Sequence, residues 1–132
     1  MSSIFTKIIK GEIPSYKIAE SETCYAFLDI NPLAEGHVLV VPKTEEDYLF
    51  DLKDETYTDL MLFSKQVAHA IKQVIVCERI GVAVIGLEVP HAHVHLVPIN
   101  QLHDIDFSRP KLSFTESELE ATAGRIRSAF DN

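Results

Sequence analysis

Three of the chain's six histidines fall in the run His91-Ala92-His93-Val94-His95-Leu96-Val97. In an extended strand, side chains alternate between faces with period two. His91, His93 and His95 then share one face, about 6.6 Å apart along the strand, while Ala92, Val94 and Leu96 turn to a core. A row of imidazoles suits attack on phosphorus: a neutral ring nitrogen takes the phosphoryl centre, and water later cleaves the covalent adduct. Neighbouring imidazoles supply orientation and phosphate donors, and their mutual repulsion disfavours protonating all three rings together. Metal ligation is a second use, with two adjacent members joined by Glu88 or His37. A site using all three is strained, because the His91 and His95 backbones lie roughly 13 Å apart in a strand. A polar outer strand with solvated histidines is the third account, and spacing alone leaves all three open.

The surrounding elements must hold this face in place. Ser3 to Lys10 reads as a short helix with Ile4, Phe5, Ile8 and Ile9 on its apolar side, stopped by Gly11 and followed by Pro14. Strands are expected near Tyr16–Glu20, Cys24–Asp29, His37–Val41, Arg79–Ile85 and His91–Ile99, with a loop over Asn31 to Gly36. The longest helix is expected from Asp54 to about Val76. Its stripe comprises Tyr57, Leu60, Met61, Ser64, Val67, Ala68, Ile71, Val74 and Ile75. Thr115-Glu116-Ser117-Glu118 fits a capping box, and Leu119, Ala123, Ile126 and Phe130 follow at helical spacing. Arg125 and Arg127 are expected near the end of that helix, where they suit its dipole. The fold class is α+β: a five-stranded, mainly antiparallel sheet, one long helix packed on it and short terminal helices.

Composition narrows the partners. At 132 residues, one domain over 1–132 is expected, with a motif-bearing core over about 3–99 and a C-terminal helix over about 115–130. The net charge of -8 argues against a long nucleic acid but not against a small anion held by local donors. Cys24 and Cys77, with no metal-binding spacing, read as buried thiols of a reducing cytosol. No signal peptide or membrane-spanning run is visible, so a cytoplasmic protein without membrane contact is expected.

The histidine run resembles the signature of the histidine-triad (HIT) family, His-φ-His-φ-His-φ-φ with φ apolar. Three further segments are similar to its Hint branch of nucleoside phosphoramidases: Ile4 to Ser15, Ala26 to Pro32 and Gly36 to Lys43. The resemblance implies hydrolysis of purine nucleoside phosphoramidates or related nucleotide conjugates to the nucleoside monophosphate. His93 would be the nucleophile, His95 the phosphate contact, and His91 with His37 the supporting polar shell. Asp29 would take the ribose hydroxyls, and Ile4, Phe5, Ile8, Phe27 and Ile30 would surround the base. It implies no cofactor, no bound metal and a homodimer in which two five-stranded sheets join.

Without the family, plainer accounts exist. Ile4, Phe5 and Ile8 would staple a helix to the core, Phe27 and Ile30 would be core residues, Asp29 would cap a turn and His37 would be structural. His69 and His103 carry no motif and read as structural or surface residues. The chain also departs from the family: Leu87 and Glu88 stand where a Gln-Ser or Gln-Thr pair is usual, making Glu88 a leaving-group contact. No clear counterpart of a family asparagine stands in Ile80-Gly81-Val82-Ala83. The alternatives are cleavage of dinucleoside polyphosphates, or a nucleotide-binding signalling module with weak turnover.

Overall fold

The computed structural model describes residues 2–131; Met1 and Asn132, the ends of the expected domain, lie outside the described residues. Chain order gives α1 (Ile4–Ile9), β1 (Lys17–Glu20), β2 (Cys24–Leu28), β3 (Val38–Pro42), α2 (Asp54–Val74), β4 (Arg79–Ala83), β5 (Val94–Ile99) and α3 (Glu116–Asp131). Short 3-10 turns occupy Leu49–Asp51 and Leu102–Ile105. The five strands form one antiparallel sheet in the order β1-β2-β3-β5-β4. Among the described residues, no helix is long and apolar enough to cross a membrane.

Alternation sorts each strand between two faces. Ala26 and Leu28 of β2, Val38 and Val40 of β3, and Val94 and Leu96 of β5 join the main core with Leu60, Val67 and Ile71 of α2 and Ala123 and Ile126 of α3. Tyr25, Phe27, Leu39 and Val41 turn to the other face, where α1 packs Phe5 and Ile8 against them. That helix is too short to cover the whole face. The uncovered part holds the histidines.

The expected α2 stripe is wider than the periodicity indicates. Phe63 and Ala70 are buried as well, because α3 covers that flank and sets Phe130 against Phe63 at a ring separation of 5.6 Å. The expected capping box is present: the Thr115 N–H donates to Glu118 Oε1 (2.8 Å) and the Glu118 N–H to Thr115 Oγ1 (3.1 Å). Arg125 and Arg127 are not in the last turn, since α3 runs on to Asp131. They tie the helix across the fold instead, Arg125 to Glu35 (2.9 Å) and Arg127 to the Lys17 carbonyl (2.7 Å). Cys24 is buried, but Cys77 is half-buried rather than buried as expected, and both are free.

Two further boundaries differ where it matters. His37 precedes β3, and β5 begins at Val94 rather than at His91. The β3–β5 ladder stops at Val40↔Val94. Further along, Pro42 has no N–H to donate, and its carbonyl accepts the His91 ring instead. The alternation of sides survives, with Ala92 in the main core, but in place of a ladder tertiary bonds hold the His91 ring and the His91 carbonyl holds His93.

Candidate active site

The site begins as a row across the sheet. Phe27 pairs with Leu39, Leu39 with His95 and His95 with Ala83, so these residues lie side by side. His93 and His91 lead away from this row along the chain, ahead of the start of β5. The Phe5 ring of α1 stands edge-on to His93 (4.9 Å), Phe27 (5.6 Å) and His91 (5.8 Å). Above the row opens a cleft of ~670 Å³, within the range of small-molecule sites.

The bond geometry fixes which ring nitrogen carries each proton. The Leu33 N–H donates to His37 Nδ1 (3.0 Å), so the His37 proton sits on Nε2. That N–H donates to His95 Nδ1 (3.0 Å), which leaves His95 with its proton on Nε2. His91 Nε2–H donates to the Pro42 carbonyl (2.8 Å), so its Nδ1 accepts the Ser3 hydroxyl (2.7 Å). His93 Nδ1–H donates to the His91 carbonyl (2.7 Å). A neutral imidazole has one donor and one acceptor. His93 is therefore left with a lone pair on Nε2 and His95 with a donor on its Nε2, and both residues line the cleft.

Burial keeps the supporting rings neutral. It lowers His37 to about 3, helped by the His95 charge, and His95 to about 4, helped by His93. It lowers His91 as well, against the bond to Pro42. Burial acts in the opposite sense on Asp29, raising its carboxyl above the ordinary value.

Most residues expected at the site meet in the cleft. Ile4, Phe5, Ile8, Phe27, Asp29, Ile30, Glu88, His93 and His95 line it. His37 and His91 stand behind, both buried. Asp29 also does the work of its plainer account, since Oδ1 accepts the Asn31 N–H (2.8 Å) and caps the turn; Oδ2 lies 3.6 Å from His37 Nε2. Phe5 and Phe27 are core-like and buried, whereas Ile4 and Ile30 are 47% and 59% exposed at the rim, in position to meet a ligand. Leu87 and Glu88 are exposed. His69 and His103 are exposed and outside the cleft.

Four contributors carry no sequence motif. Phe107 stands edge-on to His95 (4.7 Å) and lines the cleft with Lys111. Ser3 caps α1 by accepting the Thr6 N–H (3.0 Å) while binding His91, and Glu45 accepts both the Ser3 N–H (2.7 Å) and the Thr6 hydroxyl (2.6 Å). Ser3 alone had a local signal, as a capping residue one position before an apolar helix.

Among the described residues, Asp29, His37 and His95 bring ligand atoms within 4.8 Å of one another. The donor set argues against a cation there. The Leu33 N–H occupies His37 Nδ1, so the only nitrogen His37 can offer already bears its proton. Coordination would require moving that proton to the face of another donor.

The HIT domain model matches residues 10–102. The chain belongs to the HIT family. Adenosine 5'-monophosphoramidase of Saccharomyces cerevisiae is 47% identical to this HIT protein over 97 residues, 72% of this chain and 61% of that protein. The match thus spans less than two thirds of the yeast relative. The enzyme of the same name in Schizosaccharomyces pombe is 35% identical over 131 residues, 97% of this chain and 98% of that one. The crystal structure of a Hit-like protein from Bartonella henselae superposes with a TM-score of 0.83 at 31% identity, covering 97% of this chain and 96% of that one. The HIT fold accounts for the sheet, the long helix and the C-terminal helix together.

Proposed function

We propose that this HIT protein hydrolyses purine nucleoside phosphoramidates to the nucleoside monophosphate and the free amine. The observation that carries the proposal is the His93 tautomer. Its Nδ1–H is spent on the His91 carbonyl at 2.7 Å, so Nε2 is a nucleophile that needs no base to free it. Attack of that nitrogen on the α-phosphorus forms the N–P bond as the substrate's P–N bond breaks. The amine leaves with a proton taken up at the solvent-open mouth, and water then cleaves the nucleotidyl-histidine. His95 Nε2–H donates to a phosphate oxygen, a hydrogen bond that strengthens as charge builds there. His37 and His91 hold these two rings in their tautomers. Asp29 Oδ2 receives the ribose hydroxyls, and the base lies among Ile4, Phe5, Ile8, Phe27 and Ile30. The names of the two yeast relatives support the substrate class.

The test is incubation with adenosine 5'-phosphoramidate or a lysyl-adenylate conjugate. The wild type releases AMP and His93→Ala does not; an alanine variant of undiminished rate overturns the role of His93. A faster rate on dinucleoside polyphosphates would move the assignment to P–O–P cleavage. Tight AMP binding with no turnover of either substrate would make the chain a binding module.

The second part of the proposal is a homodimer through β4. This strand closes the sheet with one free edge, and Val82 (55%), Val84 (37%) and Ile85 (46%) are exposed on and beyond it. An open apolar edge is a template for another strand. Sedimentation equilibrium should return twice the chain mass; a monomer at micromolar concentration contradicts this pairing.

A further inference from the structure

The cleft lies in a chain of net charge -8 and is itself lined by two carboxylates, Asp29 and Glu88. Among the described residues that line it, Lys111 is the one lysine or arginine. The position is built rather than incidental. The Lys111 ammonium donates to the carbonyls of Phe107 (2.6 Å) and Arg109 (3.2 Å), which uses two of its three donors and, among the described residues, no carboxylate. Its charge is therefore oriented by main chain and left without a counter-charge in direct contact.

The segment that carries Lys111 is fastened at several points. Asp106 accepts the Ser108 N–H (2.9 Å) and hydroxyl (2.7 Å), and Arg109 binds the His103 carbonyl (2.9 Å). The Leu112 N–H donates to the Pro32 carbonyl (2.8 Å), joining the segment to the loop after Asp29. Phe107 closes it on His95 and His37, with ring separations of 4.7 and 6.1 Å. Across the chain, residues 87 and 88, which lead to the triad, present a leucine and a carboxylate. They add no cation for an anionic ligand.

We propose that Lys111 is the charge-recognition residue of this site, supplying the positive charge that selects a phosphorylated nucleoside over the nucleoside itself. The third ammonium N–H is the donor available to the ligand. Its field reaches the cleft floor, where it opposes the burial that raises the Asp29 carboxyl. The inference rests on the proposed nucleotide substrate and names how this chain recognises its anionic part.

The experiment compares binding of AMP and of adenosine by isothermal titration calorimetry in the wild type, Lys111→Met and Lys111→Arg. AMP affinity should fall about tenfold or more in Lys111→Met, a loss well within the attraction of one charge pair at moderate dielectric. Adenosine affinity should stay within about twofold, and Lys111→Arg should retain most of the preference. Equal losses for both ligands would make the segment a structural support only, and an unchanged AMP preference would remove Lys111 from recognition. Both results overturn the assignment while leaving the nucleotide site intact. A wild type that binds AMP no better than adenosine overturns this assignment and the proposed function together.

Discussion

Removing the Ser3 hydroxyl tests how His93, the proposed nucleophile, is held. Ser3 Oγ donates to His91 Nδ1 at 2.7 Å and accepts the Thr6 N–H at 3.0 Å, so Ser3→Ala deletes an N-cap and strands a fully buried imidazole nitrogen. Loss of an N-cap costs about 0.5–2 kcal/mol, and a buried polar atom left without a partner costs about 1–3 kcal/mol. The two effects share one atom, so the expected destabilisation is about 1–4 kcal/mol rather than the full sum. Thr6 Oγ1 lies 3.4 Å from the same nitrogen, but its proton is committed to Glu45 at 2.6 Å. The His91 ring then loosens, and with it the carbonyl that holds His93 Nδ1–H. Urea denaturation measures the stability, and steady-state kinetics on adenosine 5'-phosphoramidate measure the positioning. kcat should fall about tenfold, equivalent to ~1.4 kcal/mol, with KM little changed, because no atom of Ser3 lines the cleft. Ser3→Thr keeps a hydroxyl and a cap and should recover most of both losses. A Ser3→Ala protein within about 0.5 kcal/mol of wild type and of equal kcat would show that the Ser3 hydroxyl does not hold His91 and His93 in place.

Acid should unfold the protein through its neutral histidines. His37, His95 and His91 have folded values below the ordinary histidine value, two of them at about 3 and 4. Their contribution is fully present above about pH 6.5 and is lost as pH falls toward the folded values, at up to ~1.4 kcal/mol per histidine per pH unit. Asp29, raised by burial, runs the other way and offsets part of the loss as its carboxyl takes up a proton in the folded state before it would in the unfolded one. Chemical denaturation from pH 7.5 to 4.5 should show falling stability, and a flat profile contradicts neutral burial of the rings. Glu88→Gln should raise kcat/KM about two- to fivefold for a phosphoramidate with a neutral leaving group, because an exposed charge acts with about 1 kcal/mol or less. The gain should shrink in high salt; a salt-independent change would mean that Glu88 acts through shape.

Much of this site is legible in local sequence. Period-two alternation correctly sends Val94 and Leu96 to the core and His95 to the cleft, and the capping box before Glu116 forms as written. The signals that fail depend on partners distant in the chain. His91 and His93 read as strand because their pattern alternates, yet the bonds that hold the His91 ring come from Ser3 and Pro42, 88 and 49 residues away, and His93 is held in turn by the His91 carbonyl. Phe107 and Lys111 have no period and no motif, and they become part of the cleft only when residue 112 is bonded back to Pro32. Arg125 and Arg127 suit a helix end by position, but their partners lie 90 and 110 residues earlier. Phe63 is exposed on an isolated α2 stripe and buried once α3 lies over it. Local pattern predicts which side a residue faces; it does not identify what arrives from elsewhere in the chain.

In the proposed reaction His93 carries the nucleotide between two displacements. The stereochemical course at the α-phosphorus tests it most directly. A chiral phosphorothioate analogue of adenosine phosphoramidate, hydrolysed in heavy-oxygen water, passes through two in-line steps if the nucleotidyl-histidine forms. Net retention of configuration is expected, and net inversion, the signature of direct attack by water, would rule out the nucleotidyl-histidine.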